Sequence, residues 1–189
     1  MLDVQIENWN LKRLSIVQLR QDSVSMRLLQ SALNSVPALP ERRFRIHPSQ
    51  DDLIFGGSGD DEIDAGSDDD TVYGGAGNDE IDGDSGNDIL YGGTGEDTID
   101  GGSGSDFIHG GAGDDSLFDN AGNDTFVGGD GIDLIEFGAA TGPVVLDLAA
   151  GTATSTNGTE SLSGIEQVNL TDAADTASGS AADELLNGF

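Results

Sequence analysis

Aspartate recurs at every ninth position through the middle of the chain, ten times in succession. The positions are Asp52, Asp61, Asp70, Asp79, Asp88, Asp97, Asp106, Asp115, Asp124 and Asp133. Carboxylate oxygens serve as ligands for hard divalent cations, and pairs of carboxyl groups serve in acid–base catalysis. A regular column of single carboxylates favours metal ligands over a catalytic pair.

An apolar side chain lies two residues after each aspartate, and glycines precede most of the aspartates. The apolar positions are Ile54, Ile63, Val72, Ile81, Leu90, Ile99, Ile108, Leu117, Phe126 and Ile135. The unit reads G-G-x-G-x-D-x-U-x, where U is apolar, as in residues 74–82. A disordered acidic tail has no reason to keep an apolar column in phase with an aspartate column. The pattern therefore predicts an ordered structure.

Each nine-residue unit must supply one turn and one strand. Glycine permits positive φ and close backbone approach, so the first six residues can form a tight turn. The last three, with a central apolar side chain, suit a short strand that points this side chain inward. Two units return the chain to its starting side. We therefore predict an all-β fold, a parallel β-roll (right-handed β-solenoid) with two nonapeptides per coil, over residues 47–136.

Charge is segregated along the chain. The net charge is −29, and all seven Lys and Arg residues precede residue 47. Four of the 36 acidic residues lie in the first 46 positions, which leaves 32 in the rest. Such a segment has no basic patch for nucleic acid or anionic lipid. No apolar run approaches the length of a membrane helix, about 20 residues.

The acidic segment needs cations in order to fold. One apolar residue per strand makes a thin core, set against the entropy of ordering many glycines. Calcium takes six to eight oxygen ligands, whereas magnesium demands stricter geometry and keeps its waters. Zinc is disfavoured because the chain has no cysteine and only two histidines, His47 and His109. We therefore predict that several calcium ions bind the repeats and that the roll folds only with them.

The repeat resembles that of the repeats-in-toxin (RTX), or hemolysin-type, proteins, whose glycine-rich nonapeptides bind calcium. The resemblance covers residues 47–136 and implies that each ion lies between two loops one coil apart. It implies ligands from loop carbonyls and from the aspartates Asp61, Asp70, Asp79, Asp88, Asp97, Asp106, Asp115, Asp124 and Asp133. The first glycines of the complete loops are Gly56, Gly74, Gly92, Gly101, Gly110 and Gly128. Asp52 follows a segment without glycine, so the first unit is interpreted as a cap.

The loops alternate between two sides of the roll and form two rows. The first loop row, in which every loop matches the motif, begins at Gly56, Gly74, Gly92, Gly110 and Gly128. The second loop row begins at Ala65, Gly83, Gly101 and Asp119, and only the Gly101 loop matches in full. Five stacked loops enclose four slots and four enclose three, so we expect about four to seven ions, with the first loop row the stronger candidate.

One face of the predicted roll carries rings in register. Spacing by 18 aligns Phe55, Tyr73, Tyr91, His109 and Val127, which we call the aromatic ladder. Two interpretations stay open. The ladder could be cross-strand packing, or an exposed apolar face for a polysaccharide or a partner domain.

The two ends differ from the repeats. Residues 1–46 suggest one or two amphipathic helices followed by a Pro-rich linker, and this segment could instead be poorly ordered or dock on a partner. Residues 137–189 resemble the closing β segment found after such repeats, with a strand near residues 143–148 and a return strand over 162–170. Two degenerate repeat units follow.

The sequence predicts a binding module without an active site. It contains none of the histidine, serine or lysine motifs of common hydrolases and phosphate loops. The resemblance implies a secreted, extracellular protein exported by a one-step ATP-driven channel (type I secretion). Two alternatives remain: the calcium-binding C-terminal part of a larger RTX exoenzyme or cytolysin, and a surface adhesin.

Overall fold

The structure is a computed structural model. It describes residues 42–45, 50–118, 120–138, 140, 142–147, 149–171, 174–178 and 185–187, with only the backbone for 42–45 and 185–187. The helices expected before Pro37 lie outside the described residues. Residues 42–45 belong to the expected linker and form a strand, which the sequence did not predict.

The described residues form two β-sheets. The sheet that we call the acidic sheet, because Glu80 and Asp82 point out from it into solvent, has eight described strands. In spatial order they are β1 (Arg42–Arg45), β3 (Asp61–Asp64), β5 (Glu80–Asp82), β7 (Thr98–Asp100), β9 (Ser116–Phe118), β11 (Leu134–Glu136), β15 (Gln167–Asn169) and β17 (Leu185–Asn187).

The second sheet, which we call the aromatic sheet, carries the aromatic ladder and has nine strands within the described ranges. In spatial order they are β2 (Leu53–Ser58), β4 (Thr71–Ala76), β6 (Ile89–Thr94), β8 (Phe107–Ala112), β10 (Thr125–Asp130), β14 (Thr159–Ser163), β13 (Thr152–Thr154), β12 (Val145–Asp147) and β16 (Thr176–Ser178).

Parallel pairing at an offset of 18 residues runs through the repeats. Ile54 pairs with Val72 in the aromatic sheet, and Ile63 pairs with Ile81 in the acidic sheet. One coil therefore contains two nonapeptides, and each unit crosses from one sheet to the other. The predicted all-β, parallel β-roll fold is confirmed.

The core between the sheets is as thin as the sequence predicts. Along residues 53–136, each described strand contributes its central apolar side chain, and every one of these side chains is at most 3% exposed. Towards the C-terminal end, Phe137, Val144, Leu146 and Ala153 extend this core. No helix in the described residues has the length and apolar character needed to cross a membrane.

The C-terminal segment closes the roll by occupying the place of one more coil. Strand β14 pairs with β10 at an offset of 36 residues, and β15 pairs with β11 at an offset of 33. Strands β12 and β13 lie between them in sequence and join the aromatic sheet through antiparallel pairs. The return strand expected over 162–170 is therefore two strands in opposite sheets, because the chain turns at residues 164–166.

Candidate metal centre

All nine aspartates from Asp61 to Asp133 point into the roll. Alternate residues of a strand share a face, so an aspartate two residues before an inward apolar side chain also points inward. Each of the nine is at most 4% exposed. The structure thus assembles the predicted site residues into two buried rows, one along each loop row.

One carboxylate oxygen of each row aspartate from Asp70 onward accepts a hydrogen bond from the backbone of the preceding coil. From Asp70 to Asp133, each Oδ1 atom accepts the N–H of the aspartate 18 residues earlier, at 2.6–3.0 Å. This contact links neighbouring coils and fixes the direction of each carboxylate.

In most of these residues, the second carboxylate oxygen receives no hydrogen bond from the part of the chain that the structure describes. Among the described residues, Oδ2 is buried and has no hydrogen-bond partner in Asp70, Asp79, Asp88, Asp97, Asp106, Asp115 and Asp133. No Lys or Arg follows Arg45 in the sequence. A buried charge without a partner is strongly unfavourable, so this arrangement calls for cations from solution.

The pKa values of these carboxyl groups reflect the same lack of positive counter-charge. Burial, with smaller contributions from neighbouring carboxylates in most of them, raises each pKa, and the backbone N–H donor partly opposes the rise. The pKa rises from 3.8 to about 6 in Asp79, Asp88, Asp97 and Asp115, and to about 7 in Asp70 and Asp106. Burial also raises the pKa of Asp124 and of Asp133.

Carbonyl oxygens lie close to the unpartnered carboxylate oxygens. A Cβ atom added to Gly74 would lie 2.5 Å from Asp79 Oδ2 and 2.7 Å from the carbonyl oxygen of Gly92 in the next coil. At Gly83 the corresponding distances are 2.8 Å to Asp88 Oδ2 and 2.6 Å to the Gly101 carbonyl oxygen. Glycine at the first loop position therefore keeps open a space lined by oxygens from two coils. The first glycines named in the sequence analysis, Gly56, Gly74, Gly92, Gly101, Gly110 and Gly128, all lie beside the aspartate of their own loop.

This donor set fits calcium. Among the described residues, no three Asp, Glu or His side chains converge on one point, so a cation held here depends on carbonyl oxygens as well as carboxylates. Calcium accepts such mixed oxygen ligands in flexible geometry. Carboxylates one coil apart would each supply one oxygen, and the glycine loops would supply the rest.

The second loop row departs from this pattern at five positions, of which Asp119 and Asn120 replace the first two glycines of its last loop. Ala65, which is fully buried, places a methyl group where Gly83 and the other first-position glycines have none. Asp68 and Asp84 stand at loop positions where the motif has glycine. Their own φ angles are 80° and 65°, in the left-handed region that favours glycine. The second loop row therefore keeps the aspartates in place but with more crowded and more strained loops.

Two glutamates that the sequence analysis missed end the rows. Glu160 Oε2 accepts the N–H of Asp124 at 2.9 Å, and Glu166 Oε2 accepts the N–H of Asp133 at 3.0 Å. Burial raises the pKa of Glu160 from 4.5 to about 7. The signal for Glu160 was present in the sequence, because Asn157-Gly158-Thr159-Glu160 repeats the last four loop positions, with glutamate in place of aspartate.

The aromatic ladder is in register, as the spacing predicts. The rings of Phe55 and Tyr73 stack at 5.1 Å with planes 9° apart, and those of Tyr73 and Tyr91 stack at 4.9 Å and 7°. His109 continues the ladder as a tilted ring 6.0 Å from Tyr91. His109 follows the inward-pointing Ile108 and so lies on the outer face of the aromatic sheet.

Comparison with known proteins supports the assignment of the repeats. The family model described as the RTX calcium-binding nonapeptide repeat matches four times, at residues 49–81, 64–99, 73–108 and 100–135. No curated protein and no solved structure matches the chain. The matched copies cover the segment in which the structure forms the two aspartate rows, so residues 49–135 are RTX calcium-binding nonapeptide repeats.

Proposed function

We propose that this chain is a secreted RTX module whose roll folds when it meets extracellular calcium. The observation that carries the proposal is the two rows of buried aspartates: eight have one oxygen bound to the neighbouring coil, and in seven of these the other oxygen has no hydrogen-bond partner among the described residues. Calcium ions between stacked loops would pair with those oxygens and with loop carbonyls. The function is binding and folding, with no catalytic step.

Charge repulsion is the reason that the calcium-free roll should not form. Aspartates of one row stack at about the strand spacing, 4.7–4.9 Å, where two like charges repel by about 1 kcal/mol even in water. The repulsion recurs along both rows, without any Lys or Arg after Arg45 to offset it. A ligand that binds only the folded form shifts the equilibrium towards that form by mass action.

The calcium concentration at which the roll should fold is one that occurs outside the cell but not in the cytosol. Extracellular calcium modules bind at about 10⁻⁴–10⁻³ M, far above cytosolic calcium. The chain would then remain unfolded inside the cell, pass the type I channel, and fold outside. A host with and without that channel tests the export step: we expect the chain in the medium only when the channel is present, and equal recovery would refute this route.

Isothermal titration calorimetry of the full chain tests the binding itself. Calcium should bind at several sites per chain, about four to seven, with a large heat from coupled folding. Magnesium at the same millimolar concentration should give little heat, because it dehydrates reluctantly and demands octahedral geometry. Equal binding of magnesium would sink the calcium proposal.

The aromatic ladder gives the second candidate, adhesion to a polysaccharide or a partner domain. Tyr73 is 39% exposed, which favours this reading. However, rings stacked at 4.9–5.1 Å cover each other's faces, and a sugar platform needs exposed ring faces. We therefore favour cross-strand packing, and retention of the wild-type chain but not Tyr73→Ala on a polysaccharide column would overturn that preference. The remaining alternative, a part of a larger exoenzyme or cytolysin, would be favoured by a catalytic domain upstream in the same gene.

A further inference from the structure

The hairpin formed by β13 and β14 presents an additional loop to the second loop row. The N–H of Gly122 donates to the carbonyl oxygen of Asn157 at 3.2 Å, just as the N–H of Gly104 donates to the carbonyl oxygen of Ala121 at 2.8 Å. Asn157 therefore takes the third loop position in one further coil. The family match ends at residue 135, so this loop lies beyond the recognised repeats.

Gly158 and Thr159, the next two residues of the hairpin, also match positions of a repeat loop. A Cβ atom at Gly158 would collide with the carbonyl oxygen of Gly122, as a Cβ at Gly122 would collide with that of Gly104. The N–H of Thr159 donates to Asn123 Oδ1 at 3.1 Å. The N–H of Ser105 makes the corresponding bond to Asn87 Oδ1 at 2.9 Å, two coils earlier. The hairpin thus stacks on the last loop of the row with repeat geometry.

Glu160 then occupies the position of the aspartate. Its side chain is fully buried, with 0% exposure. Oε2 accepts the N–H of Asp124 at 2.9 Å, and no described residue donates a hydrogen bond to Oε1. Seven row aspartates, Asp106 among them, show the same division: one oxygen accepts a backbone N–H, and the other has no hydrogen-bond partner among the described residues.

We propose that Glu160 completes an additional calcium slot, between the loop that ends at Asp124 and the turn of the β13–β14 hairpin. The slot extends the second loop row by one position and ties the C-terminal segment to the repeats through a cation. It rests on the proposed calcium function of the two rows. The hairpin turn, closed by a 3.0 Å bond from the N–H of Ser155 to the carbonyl oxygen of Gly158, replaces the first two loop positions.

Glu160→Gln tests the slot, with Glu80→Gln as the matched control. Glutamine keeps the length of the side chain and an oxygen acceptor for Asp124 N–H, but it removes the charge. Glu80 is exposed on the acidic sheet, so its substitution removes the same charge outside the rows. Native mass spectrometry at saturating calcium counts the ions bound per chain. We expect one fewer ion in Glu160→Gln and the wild-type number in Glu80→Gln.

The outcomes separate this slot from the proposed function. A wild-type chain that binds no calcium would refute the function of the rows. Calcium binding with an unchanged count in Glu160→Gln would refute only the additional slot. If Glu160→Gln does not fold, a crystal structure of the calcium-loaded wild-type chain decides: we expect an ion about 2.3–2.6 Å from the Glu160 carboxylate, and a water molecule or no density there would overturn the slot.

Discussion

Asp97 Oδ1 accepts the backbone N–H of Asp79 at 2.8 Å, while Asp97 Oδ2 is buried and receives no hydrogen bond from the part of the chain that the structure describes. The two oxygens of one carboxylate thus serve different purposes. Oδ1 joins the coil of Asp97 to the preceding coil, and Oδ2 lies near the carbonyl oxygen of Gly110 in the next coil, where a cation would bind. Substitutions that separate these two roles are the sharpest tests of the rows.

Asp97→Asn should weaken calcium binding without removing the link between coils. Asparagine keeps the Oδ1 acceptor for Asp79 N–H but loses the charge. Loss of one charged ligand is worth about 1.5 kcal/mol or more, so we expect the calcium midpoint to rise roughly tenfold. Asp114→Asn is the control, because Asp114 is exposed and its Oδ1 accepts only the N–H of Ile132. Equal shifts of the midpoint in the two variants would contradict the role given to Asp97 Oδ2.

The two loop rows should respond unequally to loss of an aspartate. Asp97 follows an intact glycine loop, whereas the Asp70 loop contains the methyl group of Ala65 and the positive φ of Asp68. Asp97→Ala should therefore raise the calcium midpoint of folding more than Asp70→Ala. The same titration, followed by circular dichroism, compares both variants, and the reverse order would refute the ranking of the rows.

A single methyl group in a loop should disrupt the stacking of coils. A Cβ at Gly104, where φ is 143°, would collide with the carbonyl oxygen of Gly86. We expect Gly104→Ala to lower the free energy of unfolding in saturating calcium by about 2–3 kcal/mol. Gly138→Ala is the control, since no atom of the described residues lies within 4 Å of its added Cβ, and its effect should stay within about 0.5 kcal/mol. Thermal melts of both variants measure the difference, and a Gly104→Ala protein as stable as Gly138→Ala would contradict the packing.

The pH dependence of the calcium-free chain follows from the raised pKa values. The folded pKa is about 6 for Asp97 and about 7 for Asp106, against 3.8 for an ordinary aspartate. The folded form therefore binds more protons between about pH 4 and pH 7, so protonation stabilises it. That stabilisation is complete below the unfolded pKa and is lost as pH rises through about 6–7. In calcium-free buffer we expect more β structure at pH 5 than at pH 7.5.

The calcium affinity should have the opposite pH dependence, because calcium binding requires deprotonated carboxylates. The apparent calcium affinity should rise between pH 5 and pH 7.5, measured by titration at each pH. An affinity that does not change over this range would argue against the buried aspartates as ligands.

The repeats were predictable because a strict spacing determines their structure. A period of nine places Ile54 over Val72 and Asp79 over Asp97 without any further information. The C-terminal segment obscures that period without leaving its phase at Glu160. Glu160 lies 36 residues after Asp124, which is four periods of nine, but Gly142 and Gly151 occupy intermediate aspartate positions and glutamate replaces aspartate at 160. The observed pairing of β14 with β10 shows that Glu160 continues the row.

The strand at Arg42–Arg45 was hidden for a different reason. It pairs with β3 in the register Phe44↔Ile63 and Arg43↔Glu62, but no glycine or aspartate of the repeat precedes it. A charged four-residue segment next to a Pro-rich stretch is typical of a linker, so its sequence indicates no strand by itself. The strand lies at the edge of the roll, where it pairs with β3, and the local sequence does not reveal this pairing partner.

Far-UV circular dichroism of the full chain, first freed of calcium with excess chelator at pH 7.5 and then titrated with calcium, tests the central claim most directly. We predict the spectrum of a largely disordered chain in chelator and a steep, cooperative rise of β structure, because an ion between two loops orders the site for the next. The midpoint should fall at about 10⁻⁴–10⁻³ M calcium. A well-formed β spectrum in chelator that does not change on addition of calcium would contradict the account.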